Sequence, residues 1–330
     1  MNIGFSLFAV AVLVLVPLIG VGEAGGYFLF GVVLPYAALA AFFLGSVYRV
    51  VKWAQVPVPF RIPTTCGQEK SLPWIKNNYL ESPHNTAGVV GRMALEVLLF
   101  RSLFRNTKVQ LAGSRAVYGG AKWLWFAGLT FHWSFLVILL RHLRFFTEPV
   151  LPFVDLLSGV DGFFRIGVPT LFFTDVGILL ALTYLFLRRV FIPQLRYLSL
   201  SSDYFPIFLI LGVALSGFLM RHFYKVDLLR VKEWAMGMAG FHPVVPTGID
   251  LSFFVHLFLV SALIAYIPMS KLVHMGGVFL SPTRNLANNN RMRRHINPWN
   301  YPVKVHTYAE YEDEFRDKMK AAGLPLDKES

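Results

Sequence analysis

Two apolar segments of the chain carry two histidines each, and imidazole is a side chain that ligates metals and moves protons near neutral pH. The first segment, KWLWFAGLTFHWSFLVILLRHLRFF, contains His132 and His142, ten residues apart. The second, LSFFVHLFLVSALIAYIPMSKLVHMGG, contains His256 and His274, eighteen residues apart. Haem iron accepts an imidazole on each face, and such a site transfers electrons because no position remains open for a substrate. Two helices with two histidines each therefore predict two haems, one above the other.

The elements that position these histidines are predicted to cross a membrane. Eighteen uncharged residues separate Lys122 from Arg141, close to the length that spans a hydrocarbon core of roughly 30 Å. The chain of 330 residues is 55% hydrophobic and only 15% charged, with a mean hydropathy of +0.53. A soluble domain is about one quarter charged. Composition therefore indicates an integral membrane protein, in which ionisable groups within the spans face the bundle interior.

We predict an all-α integral membrane protein, a single bundle of six transmembrane helices. Pro35 is expected to kink the second helix, and Pro268 to bend the sixth without ending it. The predicted spans are 3–21, 27–51, 122–146, 168–191, 204–220 and 251–280.

Charge along the chain predicts the orientation of these spans. The loop 52–121 has many more basic than acidic residues, and the loop 147–166 has the opposite bias. The positive-inside rule therefore assigns 52–121 to the cytoplasm, with both termini, and predicts a multi-pass protein of the cell membrane. The same rule explains the net charge of +12 without a nucleic-acid partner.

A single cysteine excludes a disulfide framework and a cysteine-ligated iron–sulfur cluster within this chain. Cys66 is interpreted as a reduced thiol, with contact to a partner's redox site as the alternative. The segment GVVGRMALEVLLFRSLFRN is predicted to be one helix with charges on two sides. It either forms a wedge between membrane and partner or lies among the headgroups.

The order of the histidines predicts their pairing. The third and sixth spans run in opposite directions, so His142 and His256 are expected to meet near the outer end, and His132 and His274 near the cytoplasmic end. Ten residues rise roughly 15 Å and eighteen roughly 27 Å, so helix tilt and a bend at Pro268 must absorb the difference.

Other roles for the ionisable residues stay open. A lone membrane histidine is often structural, and His222 at the end of the fifth span is the chief rival ligand. Arg141 and Arg144 could pair with the propionates of the outer haem, and Lys271 or Arg284 with those of the inner one, or all could be interfacial anchors. A transporter that relays protons or binds metal, and an anchor without haem, are the rival classes. The remaining histidines are expected to be solvated: His84, His242, His295 and His306.

The spacing of ten and eighteen residues, on helices separated by two others, resembles the gamma, cytochrome b subunit family of respiratory nitrate reductases. The resemblance covers 27–285. It implies two haem b groups, quinol oxidation near the outer one and electron transfer inward to an iron–sulfur partner. An anchor of a nitrate reductase or heterodisulfide reductase complex is the alternative within this reading.

The loop CGQEKSLPWIKNNYLESPHNTAGVVGRMALEVLLFRSLFRNTK resembles the DsrM family, the M subunits of the Dsr sulfite-reduction-associated membrane complex. This resemblance implies menaquinol as substrate and an iron–sulfur K subunit similar to heterodisulfide reductase. It also implies J, O and P subunits, and the trisulfide form of DsrC as final acceptor. The chain would then comprise an extra span (1–26), the cytochrome b domain (27–285) and a cytoplasmic tail (286–330).

Quinol oxidation releases protons as well as electrons, so the outer end should also contain polar groups. The candidates there are charged residues at the end of the third span and in the loop that follows. Asp155 or Asp161 is the expected proton acceptor. The quinol-site candidates are Arg141, Asp155, Asp161 and Arg165.

Overall fold

The computed structural model describes residues 2–56, 78–162, 169–288 and 305–327; Cys66 and Arg165 lie outside them. Helices dominate the described residues. They are α1 (Asn2–Gly22), α2 (Leu34–Ala54), α3 (Thr86–Leu99), α4 (Arg101–Phe104), α5 (Lys122–His142), α6 (Pro152–Asp161), α7 (Phe173–Phe191), α8 (Pro193–Leu198), α9 (Ser201–Leu219), α10 (Leu228–Ala239), α11 (Leu251–Tyr266), α12 (His274–Leu280), α13 (Pro282–Asn285) and α14 (Tyr308–Ala321).

Within the described residues, five helical stretches are long and apolar enough to cross a membrane. The fourth predicted span corresponds to α7, which has 19 residues and is not among these five. It carries Asp175, Arg188 and Arg189, and these charges lower its hydropathy. The prediction of six spans is therefore matched by five apolar stretches and one more highly charged helix. The five stretches are Asn2–Gly22, Leu29–Ala54, Lys122–Phe145, Ser201–Tyr224 and Leu251–Met269.

The bundle is organised around α11. This helix packs against α1, α2 and α9, while α5 packs against α7 and α7 against α9. Leu209 of α9 and Leu259 of α11 are almost fully buried where these helices meet. Large apolar side chains elsewhere, such as Phe43 and Leu180, are more than 60% exposed. A bundle with an apolar outer surface is what a lipid environment requires.

The second span contains a π-helical turn, Leu29–Val33, immediately before α2. Pro35 lies in the first turn of α2, where its missing N–H is tolerated. The second span was predicted to have a kink at Pro35. Its helix is instead irregular just before that residue, at the π-helical turn Leu29–Val33. The indole Nε1 of Trp234, in α10, donates a 2.7 Å hydrogen bond to the Gly31 carbonyl in this turn.

The prediction of one continuous sixth helix to residue 280 is wrong. The transmembrane part ends at Met269, and Ser270 has an extended backbone with φ −117° and ψ 179°. The Ser270 side chain then accepts a hydrogen bond from the Leu272 backbone N–H, which caps the next helical turn. His274 therefore begins a separate short helix, α12, and does not share one straight helix with His256.

The predicted helix over GVVGRMALEVLLFRSLFRN is also interrupted. Phe100 adopts a left-handed conformation (φ 49°, ψ 48°) that separates α3 from α4. A two-stranded antiparallel hairpin then follows, β1 (Thr107–Ala112) and β2 (Arg115–Gly120), so the prediction of an all-α chain is wrong in this segment. Gly113, with φ 64°, occupies the tight turn, as its lack of a Cβ permits.

Buried Arg92 attaches α3 to the segment that follows α12. Its guanidinium donates to the backbone oxygens of Glu81, Arg284 and Leu286. Burial, together with the nearby positive charge of Arg284, lowers the pKa of Arg92 from its ordinary value. We call the end of the bundle next to α3 the inner end and the end next to α6 the outer end.

Candidate functional site

The inner pair of histidines lies between α5 and the start of α12. The ring centres of His132 and His274 are 6.0 Å apart, with planes inclined at 82°. Two imidazoles that bind one metal ion from opposite sides at about 2 Å place their ring centres about 6 Å apart. The separation of this pair therefore fits a shared iron.

The hydrogen bonds of the inner pair define which ring nitrogen is available. His132 Nδ1 lies 2.7 Å from the Gly128 carbonyl oxygen, and His274 Nδ1 lies 2.9 Å from that of Lys271. A carbonyl can only accept, so both Nδ1 atoms carry the hydrogen and both Nε2 atoms have a free lone pair. A metal-ligating histidine usually has this arrangement.

Aromatic rings from the inner loop and from α5 itself contact His132. The Phe100 ring lies edge-on to the imidazole at 4.8 Å between centres, and Phe131 lies at 4.9 Å. Trp125 and Trp133 of α5 donate their indole N–H groups to the Leu99 and Leu98 carbonyls of α3. These two bonds satisfy carbonyls that the end of α3 leaves free. They also hold Phe100 against the inner histidine.

In the outer pair, His142 is held by a backbone carbonyl, as in the inner pair, whereas His256 is held by a side chain of another helix. His142 Nδ1 lies 2.7 Å from the Ile138 carbonyl oxygen, four residues earlier in α5. His256 Nδ1 lies 2.9 Å from Ser216 Oγ of α9. Because Ser216 donates its own hydrogen to the Val213 carbonyl, it accepts from His256. His256 Nε2 is therefore free.

Gly217 lies beside His256 of the outer pair, and its lack of a side chain leaves room for the imidazole. A Cβ on Gly217 would lie 3.2 Å from His256 Cε1, so any larger residue would push the imidazole. Sequence reasoning did not identify Ser216 or Gly217, although a Ser-Gly pair within an otherwise apolar helix was a visible signal.

Arg141, a predicted quinol-site residue, lies in a buried ion-pair cluster. It contacts Asp161 at 2.5 Å and Asp175 of α7 at 3.1 Å, and its guanidinium lies 3.6 Å from the centre of the Phe172 ring. Asp161 also accepts hydrogen bonds from the backbone and hydroxyl of Thr174. The cluster ties α5, α6 and α7 together next to His142.

The remaining predicted charges lie apart from this cluster. Asp155, whose side chain is 63% exposed, pairs with Arg144 at 3.6 Å. Lys271 pairs with Asp203 at 2.6 Å, at the start of α9. Arg284 donates to Ser102 Oγ and so contributes to the inner loop.

A metal site of the multi-ligand kind is not formed by the described part of the chain. No group of three or more His, Cys, Asp or Glu side chains there could hold a metal ion. A haem needs only two protein ligands, and the inner pair has the separation that two such ligands require.

One protein family and two known proteins are similar to this chain over most of its length. Residues 88–294 match the nitrate reductase gamma subunit family. The "Hdr-like menaquinol oxidoreductase cytochrome b-like subunit" of Archaeoglobus fulgidus is 47% identical over 278 residues, which cover 82% of this chain and 83% of that protein. The Archaeoglobus profundus protein of the same name is 41% identical over 275 residues, 81% of each chain.

The match covers both histidine pairs, the inner α3 helix and the outer ion-pair cluster. The predicted resemblance to the gamma subunits is thereby confirmed, and a membrane protein of the quinol oxidoreductase class is supported. The chain belongs to the nitrate reductase gamma subunit family.

Proposed function

We propose that this chain is a di-haem b membrane subunit that oxidises menaquinol and passes the electrons across the membrane to a cytoplasmic iron–sulfur subunit. One observation carries the proposal: each of the four histidines has Nδ1 bonded to an acceptor, which leaves Nε2 free. A metal-ligating histidine usually has this arrangement, with its other ring nitrogen bonded to a carbonyl or another acceptor.

His132 with His274 would hold the inner haem, and His142 with His256 the outer one. Bound haem supplies iron that gains and loses one electron at a time without binding a substrate. The protein's contribution is to orient the imidazoles. Gly128, Ile138 and Lys271 do so through backbone carbonyls, and Ser216 does so through its hydroxyl.

Quinol oxidation is proposed at the outer end. Relatives of this chain carry menaquinol oxidoreductase in their name. The candidates are Arg141, Asp155, Asp161 and Arg165. Because Asp161 is already paired with Arg141, Asp155 is the more accessible proton acceptor of the two carboxylates. If neither Asp155→Asn nor Asp161→Asn slows haem reduction by a quinol analogue, both carboxylates are excluded.

The finer assignment is to the DsrM branch. We propose a heterodisulfide reductase-like K subunit at the inner face, together with J, O and P subunits and DsrC as the indirect acceptor in sulfur metabolism. The chain would lie in the cell membrane, with both termini on the cytoplasmic side. Subunits that co-purify with the tagged chain in its own cells test this. A nitrate reductase catalytic subunit among them would favour the alternative complex.

Haem content tests the central claim. We expect two haems per chain in the parent protein and one in each of His132→Ala, His142→Ala, His256→Ala and His274→Ala, measured from the Soret and α-bands. Exposed His242→Ala is the matched control and should retain both haems. A colourless parent protein, made with ample haem supply, would contradict the proposal and favour a histidine-based transporter.

A further inference from the structure

His222 lies at the outer end and is not one of the four proposed haem ligands. We infer that His222 binds the quinol hydroxyl and accepts its proton. The inference rests on the proposed quinol oxidation and adds a catalytic residue to it. His222 would not ligate the haem.

His222 has a buried nitrogen without a partner. Among the described residues, its Nε2 atom is shielded from solvent and makes no hydrogen bond. Burying a polar atom without a partner is unfavourable, and such an atom in a native protein calls for an explanation. A ligand that donates a hydrogen bond would satisfy it.

The backbone around His222 is irregular. Residues Met220–Tyr224 form a π-helical turn, which follows directly on α9. Such turns are frequently found at functional sites. The ring of Phe218 lies 4.5 Å from the imidazole, at an angle of 39°, so the histidine is held against an aromatic face on one side. A flat aromatic ligand would find a similar environment.

His222 lies nearer the outer end of the bundle than the outer pair of histidines. It lies five residues beyond Gly217, which touches His256; at 1.5 Å per residue this is roughly 8 Å further toward the outer end. A quinol bound at His222 would thus lie further toward the outer surface than His256. That is the side from which a proton can leave to water.

The charged groups that face His222 are Arg221 and Asp175 of α7. Arg221 lies 4.2 Å from the centre of the Phe172 ring and donates to the Thr170 carbonyl. Arg141 lies over the same ring. A neutral imidazole whose Nδ1 carries the hydrogen has a lone pair on Nε2, and this lone pair can accept a hydrogen bond from a quinol hydroxyl.

The chemistry balances as follows. Oxidation of one quinol to quinone breaks two O–H bonds and releases two electrons and two protons. A haem held by His142 and His256 would supply the one-electron acceptor, and the first electron would have to pass on toward the inner haem before the second is taken up. One proton goes to His222 Nε2 and the other to Asp155 or directly to water at the outer surface. The histidine returns its proton to water before the next quinol binds.

Two substitutions separate binding from proton transfer. His222→Gln keeps a hydrogen-bond acceptor but no base, and His222→Leu removes both. Exposed His242→Gln is the control. Each protein is loaded with haem in lipid nanodiscs, and haem reduction by a naphthoquinol analogue is followed by stopped flow, with dithionite defining full reduction. Binding of 1-naphthol, compared with 1-methoxynaphthalene, is measured separately by calorimetry, since this probe keeps the hydroxyl but does not reduce the haem.

We expect both His222 variants to retain two haems and full reduction by dithionite, but to be reduced by quinol about 100-fold more slowly, the usual effect of losing a general base. The preference for 1-naphthol over its methyl ether should fall about tenfold in His222→Leu only, since one hydrogen bond is lost. Unchanged quinol rates in both variants would overturn this inference alone. Loss of one haem would make His222 a ligand and also overturn it. A parent protein that quinol does not reduce would overturn the proposed function, and this inference with it.

Discussion

The inner and outer histidine pairs contain the same residue types but are held in different ways. The inner pair depends on local backbone: His132 bonds to the carbonyl one turn earlier, and His274 bonds to Lys271 just after the break at Ser270. In the outer pair, His256 depends on the Ser216 hydroxyl of a neighbouring helix and on the space beside Gly217. His142 adjoins a buried ion-pair cluster.

The two pairs therefore differ in which structural elements fix their positions. The break at Ser270 allows His274 to reach His132 without a long straight helix, which removes the mismatch between spacings of ten and eighteen residues. The outer pair is instead fixed by three helices and by charges next to it. Contacts from several elements are what a site needs if it must hold both a cofactor and a substrate.

Replacing one histidine of each pair should give the largest contrast. His142→Ala is expected to slow haem reduction by quinol by more than about 100-fold, beyond the losses seen when only a supporting group is removed. His132→Ala should leave reduction of the outer haem intact, because the proposed function has quinol react there first. Stopped-flow spectra of both variants test this. Equal losses would mean that the two pairs do not differ in access to quinol.

The ion-pair cluster should stabilise only the outer half. Asp161→Asn leaves Arg141 with a weakened buried partner, and breaking a buried pair costs about 3–5 kcal/mol. The thermal unfolding temperature in detergent should fall by several degrees. Asp155→Asn is the control, since its exposed pair with Arg144 contributes roughly 0–1 kcal/mol. Similar shifts for both variants would contradict the structural role of the cluster.

Added volume at Gly217 should disturb the outer haem alone. The new Cβ of Gly217→Ala would lie 3.2 Å from His256 Cε1, and overpacking of this kind costs about 1–3 kcal/mol. We expect a changed reduction midpoint for one haem in a redox titration. In Gly212→Ala the Cβ would meet Val10 at an ordinary 3.5 Å, and both midpoints should be retained.

The smallest effect is expected from the hydroxyl that orients His256. Ser216→Ala removes one hydrogen bond, a loss of about 1 kcal/mol, so the affinity of the outer site for haem should fall roughly fivefold. Haem transfer to apomyoglobin measures this. Ser261→Ala is the control because its hydroxyl bonds only to its own helix, at Leu257. An equal loss in both variants would exclude a specific role for Ser216.

Much of the membrane architecture followed from the sequence. Long apolar segments without charge have few other stable structures, so α1, α5, α9 and α11 were predictable from length and hydropathy. The structure of the segment after α11 was less predictable. Pro268 signals an irregularity, but the actual break lies at Ser270, whose side chain caps the next turn. The hairpin after α4 was missed, because its short strands carry a weak pattern.

The sequence by itself determined the residue types that can ligate haem, the apolar segments that carry them and their order along the chain, because composition and periodicity are properties of local sequence. Only the tertiary structure decided which groups support each imidazole and that Arg141 is already paired. It also decided that, among the described residues, the Nε2 atom of His222 makes no hydrogen bond. These facts depend on contacts between residues far apart in the chain, such as Ser216 with His256 and Arg141 with Asp175. Such contacts form only when helices pack, and no local pattern encodes them.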